Sequence, residues 1–216
     1  MFSDRPAKFR SYDTVVGIAE KARQKAGLST EINVNLPDYI NGFLRLRVGL
    51  PIEVRIFLKG EHNARAFVEF KKDENIVLNV EDATWFQAER NFPDAKFVMA
   101  HEVGHIIMHR HDALAYSDAP YFFIRSLTDE ERVEPQANWF ADAFIAPISM
   151  LEGIRNVYDV ADLLNVPETC ARRQLERMLD DQRRRGLITG FDDMCSQCGG
   201  LTVDGSGQCM SCRGCK

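Results

Sequence analysis

The chain has 216 residues, 45% of them hydrophobic and 27% charged, with a formal net charge of −5 and a pI near 5.6. This is the composition of an ordinary soluble globular protein, one domain with one or two small modules, and it argues against wholesale nucleic-acid binding. No run approaches the roughly 18 apolar residues of a membrane span, and Met1–Arg10 has no apolar signal region, so a cytoplasmic protein is expected.

In chain order, residues 1–12 read as a mobile, mildly basic tail. Val15, Val16, Ala19, Ala22 and Ala26 recur at helical spacing between Tyr12 and Gly27, and Gly27 is a stop. Residues 28–50 are ambiguous, with Leu36-Pro37-Asp38 able to open a short helix through Leu44. Three runs rich in β-branched and aromatic residues follow: Ile52–Leu58, Ala64–Phe70 and Ile76–Val80. The intervening segments 60–63 and 72–75 have turn composition, which predicts an antiparallel sheet. Asn91-Phe92-Pro93-Asp94 has helix-start chemistry, with Asn or Asp as cap and Pro in the first turn. It predicts a helix from about Asp94 to Arg110. Residues 111–127 read as an aromatic-rich loop. Thr128-Asp129-Glu130-Glu131 has the form of a capping box before a helical pattern from Arg132 to Ala146 that Pro147 ends. Pro135 sits awkwardly in that pattern, so the regular helix is expected to begin or kink there.

The chemistry concentrates in Ala100-His101-Glu102-Val103-Gly104-His105. Residues four apart on a helix stand one above the other, so the rings of His101 and His105 can converge on one ion. Glu102, a quarter turn round, can reach a water there without being a ligand. This is the zinc-peptidase arrangement, with Glu102 as the base. The flanking residues are almost all apolar, as in a helix buried on most sides. A catalytic zinc usually has three protein ligands and an open position. His111 lies six residues after His105, but Met108 occupies the place where that spacing pattern needs a Gly to turn the chain back. Glu134 is favoured over His111, with Glu131 a weaker third choice. Asn138, four residues after Glu134, shares its helical face and can hydrogen-bond the outer nitrogen of a ligand histidine.

These segments, together with Glu134-Pro135-Gln136-Ala137-Asn138-Trp139-Phe140-Ala141, Ala146-Pro147 and the strand Ile76-Val77-Leu78-Asn79, resemble the ImmA/IrrE family of zinc metallopeptidases over roughly residues 65–180. The resemblance implies a zincin-like fold, His101, His105 and Glu134 as ligands, Glu102 as base, and cleavage of a repressor-type regulator of mobile elements or stress responses. Two departures are Pro135, directly after the proposed ligand, and Gln136, where an acidic residue is common. A second oxyanion donor is usual in such chemistry. Tyr116, Tyr121, His109, His111 and Arg125 are candidates, each with packing or surface placement as the plainer reading. Strand 76–80 is a candidate exposed edge for an extended substrate.

Val157–Met178 reads as a helix-turn-helix around Asn165-Val166-Pro167, and Gly186 closes the helical region. Arg172, Arg173, Arg177 and Arg183–Arg185 make this the most basic region, offset by Glu168, Glu176, Asp180 and Asp181, so DNA contact is open. Five of the six cysteines fall in the last 22 residues. Cys195-x-x-Cys198 and Cys209-x-x-Cys212 have zinc-ribbon spacing, with Cys215 able to replace Cys212, while Cys170 reads as a half-buried thiol. Too few apolar residues surround the ribbon for it to fold without metal.

The expectation is therefore an α+β zincin-like domain at 1–150, a helix-turn-helix-like extension at 151–190 and a four-cysteine zinc ribbon at 191–216. Two zinc ions are implied, one catalytic and one structural. The partner is a repressor-like protein substrate, with DNA open and membrane excluded. The alternative function is a nucleic-acid-binding regulator whose peptidase site senses zinc or is inactive.

Overall fold

The computed structural model describes residues 4–111, 126–154 and 156–186. They form an α+β arrangement in two compact units, Met1–Ile145 and Ala146–Lys216.

In the first unit, helix α1 runs Tyr12–Ala26. The Ser11 hydroxyl accepts the Thr14 N–H at 3.3 Å, and Gly27 turns left-handed at φ 76° to close the last carbonyls. Residues 4–10 are not a free tail. Pro6 bridges Arg132 in antiparallel fashion, and the Ala7 and Arg10 amides donate to the carbonyls of Glu131 and Glu130. These bonds are made by backbone to a region 120 or more residues away, and hydrophobic pattern does not report them. Helix α2, Leu36–Asp38, continues as a π-helix over Tyr39–Arg47, three residues beyond the expected end at Leu44.

The strands are β1 Ile52–Phe57, β2 Ala66–Phe70 and β3 Ile76–Glu81, in the order β1-β3-β2. The sheet is mixed: β3 pairs β1 in parallel and β2 in antiparallel fashion. Short turns between runs suggest a meander, but side-chain chemistry decides the order. Ile76-Val77-Leu78-Asn79-Val80 is buried on both faces, which suits only a central strand. The alternating Ile52-Glu53-Val54-Arg55 of β1 suits an edge. Strand 76–80 is therefore not the exposed edge that the sequence suggested; β2 is.

Helix α3, Asp82–Glu89, follows β3 directly. Helix α4, Pro93–Met108, carries the His-Glu-x-x-His motif. Its cap position is Phe92, with no side-chain cap bond, rather than Asn91 or Asp94, because Asn91 is used in the left-handed turn (φ 56°) that leaves α3. Pro93 takes the first helical position, where its missing N–H costs nothing. The Thr128–Glu131 capping box exists but closes a 3-10 turn over Asp129–Glu131. Helix α5, Val133–Ile145, begins after it. Pro135 lies in the first turn of α5, among the amides that have no intrahelical partner, so it neither delays nor kinks the helix.

In the second unit, helix α6, Val157–Leu164, buries Val157, Val160 and Leu164. Asn165, left-handed at φ 49°, ends it, and helix α7 runs Glu168–Arg184, beyond the expected Met178. Cys170 is fully buried rather than half-buried. Cys195, Cys198, Cys209, Cys212 and Cys215 lie outside the described residues. Among the described residues no helix is long and apolar enough to cross a membrane.

Candidate metal centre

Helices α4 and α5 pack closely because of one residue. A Cβ added to Gly104 would stand 3.1 Å from Phe140 Cδ1, 3.2 Å from Phe140 Cβ and 3.3 Å from Ala137 Cα. With only a hydrogen there, the second turn of α5 lies against the motif. Ala137 and Phe140 then fix how far Glu134, one turn earlier, stands from the histidines.

The three side chains meet. His101 Nε2 and His105 Nε2 are 2.9 Å apart, and Glu134 places one carboxylate oxygen 3.2 Å from the first and the other 3.5 Å from the second. One ligand atom from each lies within 4.8 Å of the others. Bonds of 2.0–2.1 Å at tetrahedral angles put donor atoms about 3.3 Å apart. The observed separations match that figure, and two imidazoles with a carboxylate are a donor set zinc takes in catalytic sites. His101, His105 and Glu134 thus form a site that fits zinc. His111 is exposed just beyond α4 and does not join this group; Glu131 is used by the capping box.

The groups around the site hold its members in place. Asn138 Oδ1 is 3.0 Å from His101 Nδ1, and His109 Nδ1 is 3.1 Å from His105 Nδ1. The Glu134 N–H donates to Asp4 Oδ1 at 3.2 Å, while Asp4 Oδ2 pairs with Arg132 at 2.8 Å. Asp4 thus caps α5 from a distant part of the chain and anchors the ligand-bearing turn.

Glu102 does not ligate. It is buried, and burial pushes its carboxyl up to about 7. The charge of His101 and a hydrogen bond from the Val68 backbone oppose that rise. For His101, burial works downward, but the hydrogen bond to Glu134 and the carboxylate charges carry it above its usual value. Burial holds His105 well below the usual histidine range, and the positive charge of Arg5 adds to the effect. An uncharged His105 is in the form a metal requires.

These groups line a cleft of about 400 Å³ that also takes in Arg5, Arg65, Phe97, Val98, His109 and the edge-strand residues Ala66, Val68 and Phe70. Val68 sends its N–H to Glu102, and the Arg65 carbonyl faces β3 through the Glu81 amide. Strand alternation then makes 66, 68 and 70 the residues whose backbone groups point away from β3, along the cleft.

Sequence reasoning missed Asp4, Gly104, the Val68 amide and the joint role of His109 and Gln136. His109 is 1% exposed and bonded on both ring nitrogens, so it serves the site from behind rather than as an oxyanion donor. Its spacing of four from His105 is the one signal in the sequence that pointed to the contact. Tyr116, Tyr121 and Arg125 lie outside the described residues.

Comparison with known proteins agrees with the motif. Residues 87–176 match the family model Peptidase_M78, the IrrE N-terminal-like domain. No curated protein matches the chain. A solved structure titled a Mycobacterium tuberculosis transcriptional regulator is similar at 19% identity with a TM-score of 0.49, over 89% of this chain and 56% of that one, so the chain spans just over half the length of that protein. The matched residues run from the end of α3 into α7 and include both helices of the site, so this stretch of the chain is similar to the IrrE N-terminal-like domain.

Proposed function

We propose that this protein is a zinc-dependent endopeptidase that cleaves a regulatory protein such as a repressor. The observation that carries the reading is the convergence of His101, His105 and Glu134 next to a buried, non-ligating Glu102, in a cleft bordered by a sheet edge. Zinc held by the three side chains would supply a Lewis acid that acidifies water and polarises a carbonyl. Glu102 takes the proton of the attacking water and returns it to the leaving amine. The Val68 amide, which donates to Glu102, opposes the upward push of burial and keeps that carboxyl able to do both. The outward backbone groups of β2 pair with an extended substrate, and the cleft walls exclude water around it.

On this reading the peptidase domain is 1–150, with residues 151–190 as a helical extension. Residues 191–216 are a ribbon in which Cys195, Cys198, Cys209 and Cys212 hold a second, structural zinc. The test pairs the parent with Glu102→Gln, each incubated with a repressor encoded beside its gene. The variant should keep its zinc and lose cleavage. Cleavage by Glu102→Gln at the parent's rate would remove the assigned base and the reading with it.

A second reading, a nucleic-acid-binding regulator, rests on α6, α7 and the arginines of α7. Arg185 already pairs with Asp181 at 3.0 Å, which leaves a smaller net charge for phosphates. A gel shift with random duplex at low salt tests it; no retardation dismisses it.

A further inference from the structure

Behind His105 lies a chain of hydrogen bonds that runs to the N-terminal segment. His109 Nδ1 is 3.1 Å from His105 Nδ1, and His109 Nε2 is 3.0 Å from Gln136 Oε1. Two imidazole nitrogens in contact need one proton between them, and either ring can supply it. The choice is made at Gln136, which is fully buried. Its Nε2 donates to two carbonyls, Lys8 at 2.9 Å and Glu130 at 2.5 Å, and only an NH₂ group satisfies both. Its Oε1 accepts from Arg10 Nη1 at 3.0 Å, which only an oxygen does. The amide is thus oriented from both ends.

The consequence passes inward. An oxygen opposite His109 Nε2 calls for a proton on that nitrogen. A neutral His109 protonated there has a bare Nδ1, so it accepts, and His105 must carry its proton on Nδ1. His105 Nε2 is then left with its lone pair, 2.9 Å from His101 Nε2 and facing Glu134. Arg10 also donates to the Met108 carbonyl at 2.8 Å, which fixes the guanidinium in place on the same Gln136 oxygen that His109 Nε2 faces.

We infer that Gln136, oriented by Lys8, Arg10 and Glu130, sets the tautomer of His109 and through it that of His105, so that His105 presents a bare nitrogen to the metal. His109 and Gln136 are positioning residues. The inference rests on the reading that His101, His105 and Glu134 hold zinc, but the proton positions exist without the metal.

The test uses the full chain and two readouts. In the metal-free parent, ¹⁵N-resolved NMR of the imidazoles should show His105 protonated at Nδ1 and His109 at Nε2. In chelator competition with zinc, Gln136→Met and His109→Leu should weaken binding by about 10- to 100-fold. His109→Asn puts an amide oxygen near the place of Nδ1 and should bind close to the parent. If Gln136→Met does not fold, the two His109 variants decide. A metal-free parent with His105 protonated at Nε2 overturns the inference, and so does zinc binding by His109→Leu equal to the parent's. A parent that fails to bind zinc overturns the metal reading instead, and the spectrum still judges the tautomers.

Discussion

Replacing Gly104 by Ala sets two terms against each other. Helix propensity favours Ala in a helix interior by about 1 kcal/mol. The new methyl, however, would meet Phe140 Cδ1 at 3.1 Å and Ala137 Cα at 3.3 Å, both tighter than ordinary contact. Neither neighbour has slack. Ala137 and Phe140 are fully buried, and the Phe140 ring is stacked on Phe144 at 5.4 Å. Overpacking of this kind costs about 1–3 kcal/mol, so the net loss of stability should be about 0–2 kcal/mol. The larger effect should fall on the metal. Relief requires α5 to move out by a few tenths of an ångström at Ala137, one turn from Glu134. Ligand geometry is held to about 0.2 Å, so zinc affinity should fall by roughly tenfold or more. The assay is thermal unfolding of the metal-free protein beside zinc competition against a chromogenic chelator. A Gly104→Ala protein that melts several degrees higher and binds zinc like the parent would refute the claim that this glycine sets the helix spacing.

Other outcomes follow from single contacts. Arg23 is 2% exposed and donates to the Phe144 carbonyl at 2.6 Å and the Glu31 carbonyl at 2.5 Å, so Arg23→Ala should cost about 2–4 kcal/mol. Urea denaturation measures it, and Arg23→Lys should restore little, since one ammonium does not replace a fork that spans two carbonyls. The Tyr39 hydroxyl is buried with no hydrogen-bond partner among the described residues, and burial pushes its pKa up. Tyr39→Phe keeps the ring between Phe43 and Phe144 and should stabilise by about 1 kcal/mol; a lower melting temperature contradicts this. Zinc at about 1,000 times its dissociation constant should add about 4 kcal/mol to the stability of the metal-free protein. His105→Ala should abolish the part of that gain due to the α4–α5 centre.

The elements were legible where local chemistry decides them. Ser11 and Gly27 bound α1, three β-branched runs give three strands, and apolar spacing gives α4, α6 and much of α5. Strand order was not legible, because the turn composition at 60–63 and 72–75 is the same whether or not β3 inserts between its predecessors. Only the two-sided burial of Ile76–Val80 separates the cases, and that is a property of the whole sheet. Helix α3 left no readable signal, since Asp82–Glu89 has apolar residues all round and buries only Thr84 and Ala88.

Within the metal centre the same division holds, and it follows from sequence distance. His101, Glu102 and His105 are legible because one helix turn sets their relation, whatever the rest of the chain does. Glu134 was reached through a second helix pattern and Asn138 through its spacing of four. The groups that orient these residues come from elsewhere: Asp4 onto the Glu134 amide across 130 positions, and Lys8 and Arg10 onto Gln136 across 128 and 126. A polar N-terminal segment has the composition of a loose tail whether or not its backbone is bonded. What distinguishes the two is a buried glutamine with two carbonyls to satisfy. Burying that amide unpaired would cost several kcal/mol, so the fold that buries Gln136 must also hold Lys8 and Arg10 against it. Order in residues 4–10 is thus a consequence of packing in α5, and the N-terminal segment is part of the metal centre even though none of its side chains is a ligand.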